Sequence, residues 1–276
     1  MSNLETKFTP YLRSMFNVHM AGQFLRYQVR ALSRYELHSP FLFDLEEKVL
    51  HDKRHFYAFD EIEYRRELLL AEDQTISVSD FGAGSHVHKS PERRVSDIAK
   101  TSLITPHFGQ MLYRLVQYLQ PVTLLEMGTS LGISSLYMAK AVPGAQLITL
   151  EGSSAIAQIA RKQHIALDAK NITIMEGEFN ATLPSALNAL KKIDLAFIDG
   201  NHRFEPTVAY FESIYPYLHE HSILVFDDIH WSTGMDKAWH VIKSDARVTC
   251  SIDLFYKGII AFRPEFRQPQ HVVLRY

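Results

Sequence analysis

The stretch LLEMGTSLGISS, residues 124–135, reads as a short apolar strand, a glycine turn and the opening of a helix. After Gly132, the residues Ile133, Leu136, Tyr137 and Ala141 fall at i, i+3, i+4 and i+8, one face of a helix. An earlier stretch competes with it. SDFGAGS, residues 79–85, follows the strand-like TISV of residues 75–78 and also carries a Gly-x-Gly turn. What comes after it, HVHKSPERR (residues 86–94), has no apolar period and contains a proline, so no helix is expected to start there and pack on a sheet. Ligands of open α/β sheets sit at the carboxyl ends of the strands, over a turn whose helix packs closely on its strand. The turn at Gly128–Gly132 is therefore read as the ligand site. SDFGAGS is read as a loop joining two N-terminal elements; folded over the pocket, residues 80–94 would form a substrate lid.

The surroundings of that turn set the fold class. From Pro121 onward, four- to six-residue apolar runs (VTLLEM, QLITLE, NITIME, IDLAFID, SILVFDD) alternate with helical patterns. This implies βα crossovers and a mostly parallel sheet covered on both faces. The ending breaks the rhythm, because TCSIDLFY and IIAFRPE read as two strands joined by a tight turn at Lys257-Gly258. The expected fold is α/β and Rossmann-like: a seven-stranded sheet, mostly parallel, with a terminal antiparallel hairpin. Residues 1–104 read as an α-rich N-terminal region, a lid or interaction element, and residues 105–276 as the ligand-binding domain. Within the first region, Pro40 is expected to end a helix carrying Arg26, Tyr27, Arg30, Arg34, Tyr35 and His38. These side chains are read as covering that helix face, with recognition of an anionic or aromatic acceptor as the alternative.

Bulk properties exclude several functions. With 29 Lys+Arg against 31 Asp+Glu, the formal net charge is -2, which makes no electrostatic case for nucleic acid or an anionic membrane as partner. No apolar run approaches the ~18 residues needed to cross a bilayer. A single cysteine, Cys250, forms no internal disulfide and fits a reducing compartment, so a cytoplasmic location is expected. Fourteen scattered histidines form no zinc motif.

The glycine spacing also restricts the ligand. Nicotinamide-binding turns use G-x-G-x-x-G, whose middle glycine lets backbone approach a pyrophosphate; here that position is Ser130. A ligand without a pyrophosphate, such as S-adenosylmethionine, suits the turn better. Glu151 follows Gly128 by 23 residues, at the end of the next strand, where a carboxylate can accept both ribose hydroxyls.

Taken together, LLEMGTSLGISS, ITLEG, IMEGEF, DLAFIDGNH and ILVFDDIHWS resemble the class I S-adenosylmethionine-dependent methyltransferases. The branch they are most similar to holds the small-molecule O-methyltransferases related to catechol O-methyltransferase, with their uncharacterised bacterial relatives. The resemblance covers residues 121–263. It implies that Glu126, Gly128, Thr129, Ser130 and Gly132 hold the methionine part of the cofactor. Glu151 and Gly152 would hold the ribose, Gly177, Glu178 and Phe179 would flank the adenine, and Asp199 would lie beside the sulfonium and the acceptor. The implied reaction is methyl transfer to a hydroxyl of a small molecule.

FIDGNH and VFDDIHW bring Asp199, Asp227 and Asp228 to neighbouring strand tips, where three carboxylates repel unless something cationic sits among them. Hard oxygen ligands suit Mg²⁺, Mn²⁺ or Ca²⁺. The catechol-type enzymes bind magnesium with Asp and an Asp-Asn pair; here Asp228 replaces the Asn, which puts the ligand set in question. His202, His230 or Asp199 is the expected general base. Trp231 is placed either to stack on a ring of the ligands or to pack in the core. Two rival readings stand beside this one: a metal-independent methyltransferase using His202 or Asp199, and a non-catalytic binding or regulatory protein of the same fold. A homodimer through the N-terminal helices is left open.

Overall fold

In the computed structural model, residues 18–78 and 91–276 are described. SDFGAGS, most of HVHKSPERR and the first residues of the chain lie outside them, and so does the lid reading. The described residues start with helix α1 (Val18–Arg30), followed by α2 (Pro40–Leu45), which continues into a single π turn at Glu46–Leu50. Pro40 begins this second helix rather than ending the first. It occupies the first helical turn behind the Ser39 cap, where its missing N–H has no partner to lose. Helix α3 (Tyr57–Leu70) is followed by two short antiparallel strands, β1 (Thr75–Ser77) and β2 (Glu92–Arg94). Helices α4 (Val95–Ser102) and α5 (Pro106–Leu119) then lead into the sheet.

The sheet alternates β3 (Thr123–Met127), α6 (Ile133–Ala141), β4 (Gln146–Glu151), α7 (Ser154–Ala166), β5 (Ile172–Glu176), α8 (Phe179–Leu190), β6 (Leu195–Ile198), α9 (Phe204–Ile214), β7 (Ile223–Asp227) and α10 (Thr233–Lys243). It ends with β8 (Cys250–Asp253), β9 (Lys257–Ala261) and β10 (Gln270–Val273). The strand order is β10-β8-β9-β7-β6-β3-β4-β5, and only β9 runs against the others. The α/β class and the closing antiparallel hairpin are as read from the sequence. The sheet gains an eighth strand at its edge, because β10 pairs in parallel with β8. The hairpin turn lies at Leu254–Tyr256, with Lys257 already inside β9. Lys257-Gly258 is thus not a turn. Lys257 pairs in register with Asp227.

Successive residues of each strand enter opposite cores, as the two-residue period of a strand requires. Leu124, Leu147, Phe197 and Val225 face one side, while Leu125, Ile148, Ile198 and Phe226 face the other. The first core also contains Leu42, Phe59 and Ile62 from α2 and α3, which pack outside α5 and α6. Helix α1 seals the far edge: Tyr27 Oη donates to the carbonyl of Leu274 at 2.7 Å, and Phe24 meets Phe255 edge-on.

Candidate functional site

The carboxyl tips of β3, β4, β5, β6 and β7 lie side by side, and the residues singled out in the sequence collect along them. Glu126 is wholly buried in β3. Its Oε2 accepts the Thr149 hydroxyl at 2.6 Å, while Oε1 makes no hydrogen bond. Burial pushes this carboxyl up to about 7, with the Ser134 and Thr149 hydroxyls pulling the other way. A buried carboxyl with one unpartnered oxygen fits the ammonium of an amino-acid ligand. Gly128 holds φ at +99°, and a Cβ there would come within 2.0 Å of the Asp199 carbonyl oxygen. The turn after β3 is therefore pressed against the tip of β6, which only glycine permits. The Thr129 hydroxyl lies 2.6 Å from that of Thr149, and Gly132, in the left-handed region, caps α6.

Glu151 is buried at the tip of β4. Its two oxygens accept the backbone N–H groups of Ser130 and Ser153, each at 2.9 Å. These two bonds fix the orientation of the carboxylate at the strand tip. Gly152 follows at the start of the loop. The Gly177 N–H bonds the Glu151 carbonyl at 2.9 Å, and the ring of Phe179 lies so close to Gly200 that a Cβ would meet it at 2.4 Å. Glu178 is exposed at the start of α8. These contacts line up Glu126, Gly128–Gly132, Glu151, Gly177 and Phe179 on one edge. Asp199, at the tip of β6, stands beside this row, its carbonyl oxygen against Gly128.

At that end the acidic cluster forms, with two cations inside it. His202 Nε2 lies 3.3 Å from Asp199 Oδ1. Burial opposes the charged imidazole, but the hydrogen bond and charge of Asp199, with Asp228 and Asp227 behind it, hold its pKa up at about 9. Burial alone would raise Asp199, but the His202 bond together with the charges of His202 and Lys257 holds it below the usual carboxylate range. The second cation is Lys257, whose ammonium bonds Asp227 Oδ1. The same oxygen accepts the Asp228 N–H at 2.7 Å. Burial raises Asp227, and its carboxylate neighbours add to the rise. Lys257 is raised as well, because the three carboxylates outweigh its burial. It stays protonated.

This arrangement fits a divalent ion poorly. Among the described residues, no group of three His, Cys, Asp or Glu side chains is arranged to hold a metal. The Lys257 ammonium bonds the Asp227 oxygen that also accepts the Asp228 N–H, and so competes with a divalent ion for the carboxylates of Asp199, Asp227 and Asp228 that the sequence reading assigned to a metal. Sequence reasoning missed Lys257 because it assigned the residue to a turn. The only signal was a lysine opening the strand beside one that ends in two aspartates, and this carries meaning only once the β7–β9 register is known.

His230 faces elsewhere. Its Nδ1 bonds Asp236 and its Nε2 lies 2.9 Å from Asp253 Oδ2, so both ring nitrogens are occupied. Despite burial, these two carboxylates raise its pKa to about 9. An imidazolium held on both sides has no free lone pair to accept a substrate proton. Trp231 packs against the hydrophobic cluster of Met20, Tyr27 and Phe255. Arg26, Tyr27 and Arg30 line a cavity between α1 and α10, together with Trp239, His240 and Lys243.

Comparison with known proteins agrees with this geometry. Residues 125–229 match the family described as Methyltransferase domain. A rat (Rattus norvegicus) protein, the transmembrane O-methyltransferase homolog, is 33% identical over 104 residues, 36% of this chain and 40% of that protein. The chain thus spans about two fifths of the length of its curated relatives. In this chain, no helix among the described residues is long and apolar enough to cross a membrane. Two solved structures share the fold. The O-methyltransferase from Bacillus cereus in complex with SAH has a TM-score of 0.53 at 18% identity, over 80% of this chain and 97% of that one. TomG from Streptomyces achromogenes, an O-methyltransferase involved in tomaymycin synthesis solved with SAM, has a TM-score of 0.54 at 17% identity, over 76% and 91%.

Proposed function

We propose that this chain, which carries a class I methyltransferase domain over residues 125–229, transfers a methyl group from S-adenosylmethionine to a hydroxyl of a small molecule. The observation that carries this reading is the row of Glu126, Glu151, Gly177 and Phe179 along neighbouring strand tips, beside a charged Asp199–His202 pair. In it, Glu126 would hold the cofactor's ammonium, Glu151 the ribose hydroxyls, and Gly177 and Phe179 the adenine. Bound there, S-adenosylmethionine supplies a sulfonium-borne methyl group, whose S–C bond breaks as the new O–C bond forms. His202, deprotonated, takes the acceptor's hydroxyl proton, and Asp199 stabilises the resulting imidazolium. His202 is preferred over His230 because both nitrogens of His230 are already bonded. Most of the rate enhancement would come from positioning and from fixed charge.

A metal-assisted version would require Lys257 to release Asp227, and the cluster as built does not favour that. Calorimetry with S-adenosylhomocysteine tests the core of the proposal. Micromolar binding that Glu151→Ala weakens at least tenfold is expected. No binding to the full chain would leave the non-catalytic reading in its place. Labelled methyl transfer to a panel of phenols and catechols, with and without EDTA, then identifies the acceptor class.

A further inference from the structure

We propose that Lys257 is the resident counter-ion of the carboxylate cluster, holding by an ion pair the place a divalent metal would take, so that the site works without metal. The inference rests on the methyltransferase reading above but concerns one residue that this reading does not use.

Topology delivers the lysine. In this sheet β9 alone runs backwards, so its first residue, not its last, lies at the carboxyl edge where the parallel strands end. Asp227 closes β7, Lys257 opens β9, and the two are direct register partners. Directly opposed residues of antiparallel strands carry their side chains on the same face, about 4.5–5.5 Å apart at Cβ. A lysine in that register meets an aspartate without reaching.

The environment then fixes it there. Lys257 is 5% exposed and Asp227 8%, so neither charge is compensated by water. The ammonium lies 4.8 Å from the ring centroid of Phe108 and 5.9 Å from that of Phe197, two faces that favour a cation and offer no competing anion. A buried ammonium deprived of its carboxylate is strongly unfavourable, so Lys257 does not readily yield Asp227 to an incoming ion.

Charge balance points the same way. Three carboxylates face two cations, Lys257 and His202. The one negative charge left over faces the position of a cationic cofactor. With His202 protonated, a divalent ion added to this set would reverse that sign and place like charge beside the lysine.

The test uses the full chain and Mn²⁺ as probe, followed by electron paramagnetic resonance and calorimetry. The wild type is expected to show no stoichiometric Mn²⁺ site at concentrations up to millimolar, and to bind S-adenosylhomocysteine equally well with and without EDTA. Lys257→Met removes the charge while keeping most of the stem, and is expected to gain a Mn²⁺ site at least tenfold tighter than the wild type. In the double variant Lys257→Met/Asp227→Asn the gain should disappear. One tightly bound Mn²⁺ per wild-type chain, lost in Asp227→Asn, would overturn the proposal. So would a folded Lys257→Met with no gain in Mn²⁺ affinity. If the methionine variant fails to fold, the wild-type titration still decides. Failure of the methyltransferase reading appears separately, as absence of S-adenosylhomocysteine binding whatever Mn²⁺ does.

Discussion

His202 illustrates how a residue read from a strand end acquires its chemistry only from its neighbours. As the base it must be neutral, yet the carboxylates around it hold its pKa at about 9. At pH 7 most of the population is protonated and inactive. The rate should therefore climb as pH rises from 7, reach half its maximum near pH 9 and level off only above that, and a pH–rate profile under saturating cofactor checks this. His202→Gln is expected to lower kcat by roughly 10²- to 10⁴-fold and abolish that rise, while leaving S-adenosylhomocysteine affinity within about twofold. Asp199, His202 and Asp227–Asp228 were legible because strand tips of an α/β sheet are where ligands bind. Lys257 was not, because its partner lies 30 residues away and only the strand register joins them.

Among the elements, α1 depends most on a single charged contact. Asp236, near the start of α10, receives His230, His19 at 2.6 Å and Gln23 at 2.5 Å, the last two from α1. His230 also holds Asp253 at the end of β8, so one imidazolium ties α10 to the sheet edge and, through Asp236, to α1. Its pKa, raised from the ordinary histidine value to about 9, has a definite sign for stability. The contribution is fully present below about pH 6.5 and is lost as pH rises through about 9. The shift corresponds to no more than about 3 kcal/mol. Thermal melts should show wild type well above His230→Gln at pH 6 and the gap narrowing by pH 9.5. A constant gap across that range would contradict the ion-pair account. The helices themselves were legible from their apolar period. The start of α2 at Pro40 was not, since a proline ends one helix and opens the next with equal ease and only the chain direction distinguishes them.

For the whole molecule, residues 1–104 and 105–276 differ in texture, yet they share a core. Leu42, Phe59 and Ile62 pack in the same buried cluster as Leu124, Phe197 and Val225. Polar ties reinforce it: the Tyr137 hydroxyl donates to Glu63 at 2.5 Å, and Arg65 Nε donates to Gln163 at 2.8 Å. Removing the first 104 residues would expose the apolar faces of α5 and α6 on which they pack. Residues 105–276 expressed alone are expected to aggregate or lack a cooperative melt, and the intact chain to unfold in one transition by circular dichroism. A soluble fragment with a sharp melt would show that the sheet does not need its N-terminal cover.

The sequence by itself determined the α/β class, the glycine turn at Gly128–Gly132 and the strand edge that gathers the candidate site residues. Each of these follows from local patterns: a two-residue or 3.6-residue apolar period, a glycine where backbone must pass close, a carboxylate at a strand tip. Tertiary structure alone decided the eighth strand, the engagement of His230 between Asp236 and Asp253, and the placing of Lys257 against Asp227. These depend on which strands become neighbours and in what register, and pairing between distant segments is set by the packing of the whole sheet rather than by any short stretch of chain.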